Sequence, residues 1–124
     1  MPKFSDQEIK RIWDEKGIVV EGYDKDLYRK DAAGAWIAFH SYDNPESVFG
    51  WVIDHIWPLS RGGDDNMLNL RPLHWKNNES KGDDYPVYFI KLKAIEDQNV
   101  EVHETRTVNE KLQEILNNLY GKHS

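Results

Sequence analysis

The chain has no cysteine among its 124 residues. Disulfides, thiolate zinc sites, iron–sulfur clusters and a cysteine nucleophile are excluded together, so any metal must be held by oxygen or imidazole nitrogen. Long apolar runs are missing as well. No stretch approaches the ~20 residues of a membrane span, and the Met-Pro-Lys-Phe-Ser start opens no apolar signal region. A cytoplasmic protein with no membrane association is therefore expected. Basic charge is scarce: 16 Lys plus Arg face 22 Asp plus Glu, for a formal net charge of −6. That balance argues against broad non-specific attraction to nucleic acid, which depends on neutralising phosphates. By thirds, residues 1–32 carry 7 basic and 8 acidic groups, 33–82 carry 4 and 6, and 83–124 carry 5 and 8. Since no third is basic, any phosphate site has to be local.

Apolar material is sufficient. Hydrophobic residues make up 39% of the chain and include five Trp and six Tyr, which is enough to exclude disorder, collagen and coiled coil. Splitting the chain would leave halves of about 60 residues, each burying only about 60% of its unfolded surface. A single domain over 1–124 with one hydrophobic core is expected.

Ser5 and Glu8 have the spacing of a capping box and predict a helix over roughly 6–15, stopped near Gly17. Ile9, Ile12 and Trp13 give it one apolar stripe for docking. Ile18–Val20 reads as a brief strand and 21–31 as irregular. Ala35–Phe39 and Val48–Trp57, separated by the turn signal Asp43-Asn44-Pro45, read as an antiparallel pair. Pro58 closes the second run, and 60–66 form a glycine-rich loop. Leu68–Leu73 returns as a short extended segment, and a two-turn helix follows from His74 to Lys81, ended by Gly82. Beyond it, Val87–Ile95 and Val100–Val108 predict a hairpin, and Thr107 with Glu110 repeats the capping-box spacing ahead of a helix over 108–120. Its stripe is Val108, Leu112, Ile115, Leu116 and Leu119.

The chemistry is concentrated in 50–82. There Asp54-His55, Pro58, Gly62-Gly63, Asn69-Leu70 and Asn78 stand at fixed spacing. So many specified positions in register make a strong motif rather than a short chance signature. The segment resembles the HNH endonuclease family, of the cysteine-free stand-alone type found in phages and bacteria. The resemblance is looser through Asp31–Ile37 and 83–86, and does not reach 90–124. It implies an α+β fold with a ββα-metal (His-Me finger) core, flanked here by an N-terminal helix, an extra β-hairpin and a C-terminal helix.

By that resemblance His55 is the general base. Imidazole suits the task because, unlike Lys or Arg, it is largely neutral near pH 7 and can accept a proton from water. Asp54 and Asn78 would hold one divalent ion, and oxygen ligands with open positions suit Mg²⁺ or Mn²⁺. Asn69 would tie the loop's ends together and orient the histidine. Side chains alternate along a regular strand, so Asp54 and His55 would face opposite ways; a distortion over 54–57 is expected to bring them together. On the helix His74, Asn78 and Lys81 fall at i, i+4 and i+7, which places Lys81 for a phosphate contact. His74 is a candidate ligand or phosphate contact, or else a helix-start residue standing where relatives carry the first cysteine of a zinc pair. Asn77 stands where they carry the second, so no structural zinc is expected, and Trp51, Trp57 and Trp75 are expected to stabilise the finger by burial instead. Arg61 and Arg71 are candidate contacts to the nucleic-acid backbone, whereas Asp64-Asp65 reads as turn chemistry. His40, His103 and His123 lack partners at ligand spacing.

The reading is a metal-dependent nuclease acting on DNA, with RNA open to the same mechanism. Weak sequence specificity or a targeting protein partner fits a small acidic chain without a reading element. The alternative is an HNH-fold interaction module of a phage or host assembly with little or no cleavage.

Overall fold

A computed structural model describes residues 3–121, so His123 lies outside the described residues. Among the described residues the chain is mixed α and β, an α+β arrangement of helices with three separate two-stranded antiparallel sheets. Its first helix, α1 (Asp6–Lys16), starts where the capping box predicts: the Glu8 amide donates to Ser5 Oγ and the Ser5 amide donates to the Glu8 carboxylate. Ile9, Ile12 and Trp13 are its buried residues, as the stripe predicts.

Residues 21–31 are not wholly irregular. They contain β1 (Tyr28–Lys30), which pairs with β2 (Trp36–Ala38), while Ile18–Val20 contributes only a bridge from Ile18 to Lys30. Charge conceals β1 in the sequence, because Arg29 is buried and works as a cap. Its guanidinium donates to the carbonyls of Trp13, Asp14 and Gly17 at the end of α1, where the helix leaves acceptors unpaired.

The expected pairing of 35–39 with 48–57 is also corrected. β3 (Trp51–His55) pairs with β4 (Leu70–His74), with Asp54 opposite Arg71 and His55 opposite Leu70. Between them run a 3-10 turn at Leu59–Arg61, the glycine loop and a second 3-10 turn at Met67–Asn69. α2 (Trp75–Lys81) follows directly, capped by the His74 imidazole. β5 (Val87–Ile95) and β6 (Gln98–Thr107) form the expected hairpin around a tighter turn at Glu96-Asp97. α3 (Glu110–Tyr120) starts two residues later than predicted. Its cap is Asn109, which accepts from the Leu112 amide, and Thr107 ends β6. Leu119 is exposed and Tyr120 is buried in its place.

Among the described residues, buried apolar side chains form two separate clusters, where one core is expected. Trp51 groups with Ile9, Trp13 and Ile37. Leu73, opposite Val52 in the register, groups with Tyr88, Ile90, Leu116 and Tyr120. By strand alternation these are the two faces of the β3–β4 pair.

Asn77 and Asp31 bind the layers together. Asn77 is fully buried. Its Oδ1 accepts from the amides of Lys91 and Leu92, and its Nδ2 donates to Leu92 O and Asp31 Oδ2. Those amides sit where the β5–β6 register shifts between Ile90 and Leu92, so a side chain of α2 satisfies donors at the bulge. Asp31 accepts from the amides of Ala33, Ala35 and His74 besides Asn77. Of the expected tryptophan supports, Trp51 is fully buried, Trp57 packs on Tyr85 and Tyr120, and Trp75 is only partly covered.

Candidate active site

β3 brings Asp54 and His55 to the edge of a cleft of about 340 Å³, whose wall also includes Pro58, Ser60, Asn78 and Asp83. The β3–β4 register is unbroken through His55, and the chain bends only at Ile56 and Trp57. The expected distortion therefore lies after the pair. Asp54 lies with Arg71 on one face of the strand and His55 near Phe4 on the other. They share the cleft because the strand ends between them and Pro58. A groove of about 470 Å³ between Trp57, Tyr85 and α3 is larger, but it holds no histidine.

Asp54 is 3% exposed and engaged on both oxygens. Oδ2 accepts from Arg71 Nε at 3.0 Å. Oδ1 lies 3.2 Å from Asn78 Nδ2 and 3.3 Å from Lys81 Nζ. One carboxylate and two cations leave this cluster with a net charge of +1, positive even without an ion.

Two expectations are corrected here. Arg71 is buried, paired with Asp54 and stacked 5.2 Å over the Tyr88 ring, so it is not free to reach a nucleic-acid backbone. Lys81 is 1% exposed, with Nζ also donating to His55 O at 3.1 Å. It holds the strand end from below rather than projecting to a phosphate. Burial lowers its pKa from the usual lysine range, opposed by the Asp54 charge. The helical spacing does bring Asn78 and Lys81 to one face, both on Asp54, but not His74. The His74 Nδ1 accepts from the Lys76 amide and Nε2 meets Val48 O at 3.0 Å, the helix-start role. Burial lowers its pKa as well.

Asn69, fully buried, joins the two ends of the loop. Its Oδ1 accepts from the Trp57 amide at 2.7 Å, and Nδ2 donates to the carbonyls of Trp57 and Asp64. Gly63 has to be glycine, because a Cβ there would lie 2.0 Å from Trp57 O. Arg61 is exposed beside Ser60 and donates to Tyr85 O.

A contact outside the sequence reading lies on the loop: Asp65 Oδ1 stands 2.7 Å from His55 Nε2. Only the adjacency of two acids to the Gly-Gly pair hints at it in the sequence. Among the described residues no group of three or more His, Asp or Glu is placed to hold a metal ion, so an ion here would depend on few protein ligands.

A family model described as HNH endonuclease matches residues 50–87. No curated protein and no solved structure matches the chain. The matched segment contains β3, the glycine loop, β4 and α2, together with every residue of the cleft named above. Over this segment, less than half of the chain, the protein is similar to the HNH endonuclease family.

Proposed function

We propose that this chain is a metal-dependent endonuclease that hydrolyses the phosphodiester bonds of DNA, with β3, β4 and α2 as a ββα-metal core. The observation that supports this most is the meeting of Asp54, His55 and Asn78 at one cleft inside the matched segment. Phosphodiester hydrolysis needs a deprotonated water, charge stabilisation at phosphorus and help for the leaving oxygen.

His55 takes the proton from water at the cleft edge. Asp54 and Asn78 fit a divalent ion by donor type and by spacing. Turning the Asn78 amide about its own axis puts its oxygen where the nitrogen stands, 3.2 Å from Asp54 Oδ1. Two neighbouring ligands of an octahedral ion with arms of about 2.0–2.1 Å stand about 3 Å apart, which suits Mg²⁺ or Mn²⁺. When bound, such an ion supplies positive charge at the scissile phosphate and the departing oxygen.

The remaining roles belong to the chain itself. Lys81 is a positioning residue that holds the Asp54 carboxylate and the His55 carbonyl. With Arg71 it keeps the cleft floor positive, a local attraction for phosphate in an acidic protein. Arg61 is the exposed cation beside the cleft available to the DNA backbone. Asn69 keeps the loop closed beneath the histidine.

Mn²⁺ binding, measured by calorimetry and water-proton relaxation, tests the reading without relying on turnover. Wild type should bind an ion, weakly because Asp54 is shared with two cations, and Asn78→Ala, altered at a half-buried position of α2, should lose most of that affinity. Asn78→Ala binding as tightly as wild type removes Asn78 from the ion site. No binding by wild type in the presence of oligonucleotide favours the interaction module.

A further inference from the structure

Three parts of the molecule that the family motif does not connect are joined by hydrogen bonds: the cleft histidine, the loop acids and the C-terminal helix. We propose that Asp65 and Tyr120 are positioning residues for His55. Tyr120 fixes Asp64, the loop then presents Asp65, and Asp65 holds the imidazole so that its Nδ1 is the atom that accepts the proton. The inference rests on the nuclease reading above and extends it to α3, which lies outside the matched segment.

Donor chemistry places the His55 proton. An ionised carboxylate only accepts hydrogen bonds, so at 2.7 Å from Asp65 Oδ1 the proton belongs on His55 Nε2. A neutral imidazole with Nε2 protonated carries its lone pair on Nδ1. Nδ1 has no hydrogen-bond partner among the described residues, and His55 lines the cleft. Asp65 thus selects which nitrogen faces the reaction, the part that a carboxylate plays beside other catalytic histidines.

Asp65 takes its place from the loop that carries it. Its side chain is 51% exposed and has no side-chain partner but His55 among the described residues, so its position is that of the loop. The loop is pinned at the preceding residue. Asp64 O accepts from Asn69 Nδ2, and Asp64 Oδ1 accepts from the Asn66 amide and from the Tyr120 hydroxyl, 56 residues away in sequence.

Tyr120 is buried in the α3 cluster, with its ring 5.7 Å from that of Trp57. Phenylalanine would serve the packing equally; the hydroxyl is the part that meets the loop. Burial and the bond to Asp64 push its pKa up to about 12, so it remains a donor throughout the neutral range.

The test combines two readouts on the intact chain. Long-range ¹H–¹⁵N correlation spectra of the histidine side chains report which His55 nitrogen is protonated. Plasmid nicking reports kcat and KM. Wild type should show a single Nε2-protonated form. Asp65→Ala should give a mixture of tautomers and lower kcat about 10–100-fold with KM little changed, less than for a fully buried triad carboxylate because Asp65 is half exposed. Tyr120→Phe should move the spectrum part of the way and lower kcat about threefold to tenfold, the worth of one positioning hydrogen bond. Asp64→Asn retains an oxygen for the hydroxyl and should behave as wild type, whereas Asp64→Ala should match Tyr120→Phe.

A wild-type His55 protonated on Nδ1, or an Asp65→Ala spectrum identical to wild type whatever its rate, overturns the proposal. Tyr120→Phe unchanged in both readouts overturns the part played by α3. If wild type does not nick, the nuclease reading fails, and the spectra still decide whether the loop and α3 set the histidine.

Discussion

Replacing Asn77 by alanine should destabilise the protein by about 3–5 kcal/mol. The side chain is fully buried, and three of its bonds are short: Lys91 N and Leu92 N donate to Oδ1 at 2.8 and 2.9 Å, and Nδ2 donates to Leu92 O at 3.0 Å. The fourth, to Asp31 Oδ2, is 3.3 Å and weaker. Truncation strands two amides and a carbonyl at the register shift of the β5–β6 pair, where the ladder cannot take them up. Each buried unsatisfied group costs about 1–3 kcal/mol, and partial entry of water brings the sum to the range given. In urea, with a slope of about 2 kcal/mol/M, the midpoint should fall by about 2 M. Asn77→Asp separates hydrogen bonding from volume. It keeps the acceptor for Lys91 and Leu92 but turns an oxygen on Asp31 and Leu92 O, so it should be as damaging. A loss below 1 kcal/mol in the alanine variant, or a tolerated aspartate, refutes the claim that this side chain carries the join between α2 and the hairpin.

Asp31→Asn should cost about 2–4 kcal/mol in the same assay, because the amide turns a donor toward groups that already donate; stability within 1 kcal/mol of wild type contradicts this. His74 makes stability depend on pH. Its folded pKa lies below the ordinary 6.5 because of burial, so the unfolded chain binds the proton first as pH falls. Its contribution is therefore fully present above about pH 6.5 and is lost on acidification toward the folded pKa. His74→Asn, which keeps a capping oxygen, should lose less stability than wild type between pH 7.5 and 5.5, and equal losses contradict the assignment. Asn69→Ala should open the loop and lower nicking more than tenfold, with a cost of about 2–3 kcal/mol from three partly buried bonds; unchanged nicking removes Asn69 from the site.

What is legible in the sequence has local causes. The Ser5–Glu8 box and Gly17 mark the ends of α1, and Gly82 marks the end of α2, because caps act within one turn. The side chains at the cleft, Asp54, His55 and Asn78, and the loop tie Asn69 are named by a motif of fixed spacing. The misses depend on contacts remote in sequence. Arg29 makes β1 look like solvated loop although its charge closes α1. Asn109 lies next to the Thr107–Glu110 signal and takes the cap from it. The pairing of β3 with β4 rather than with the 35–39 run is a tertiary choice between several β-prone segments. Arg71 and Lys81 read as exposed cations because nothing local shows that both end on one buried carboxylate. Asp65 and Tyr120 reach the histidine only through the fold.

Hydrolysis of DNA at this cleft with His55 as the base has one direct test. Purified wild type and His55→Ala should be compared for nicking of supercoiled plasmid at low salt, with Mg²⁺, with Mn²⁺ and with EDTA. Wild type should nick only with the ion present, and the rate should fall at least a hundredfold in His55→Ala, since the base contributes about 10²–10⁴-fold. Equal rates in the two proteins, or nicking that persists in EDTA, would contradict this reading.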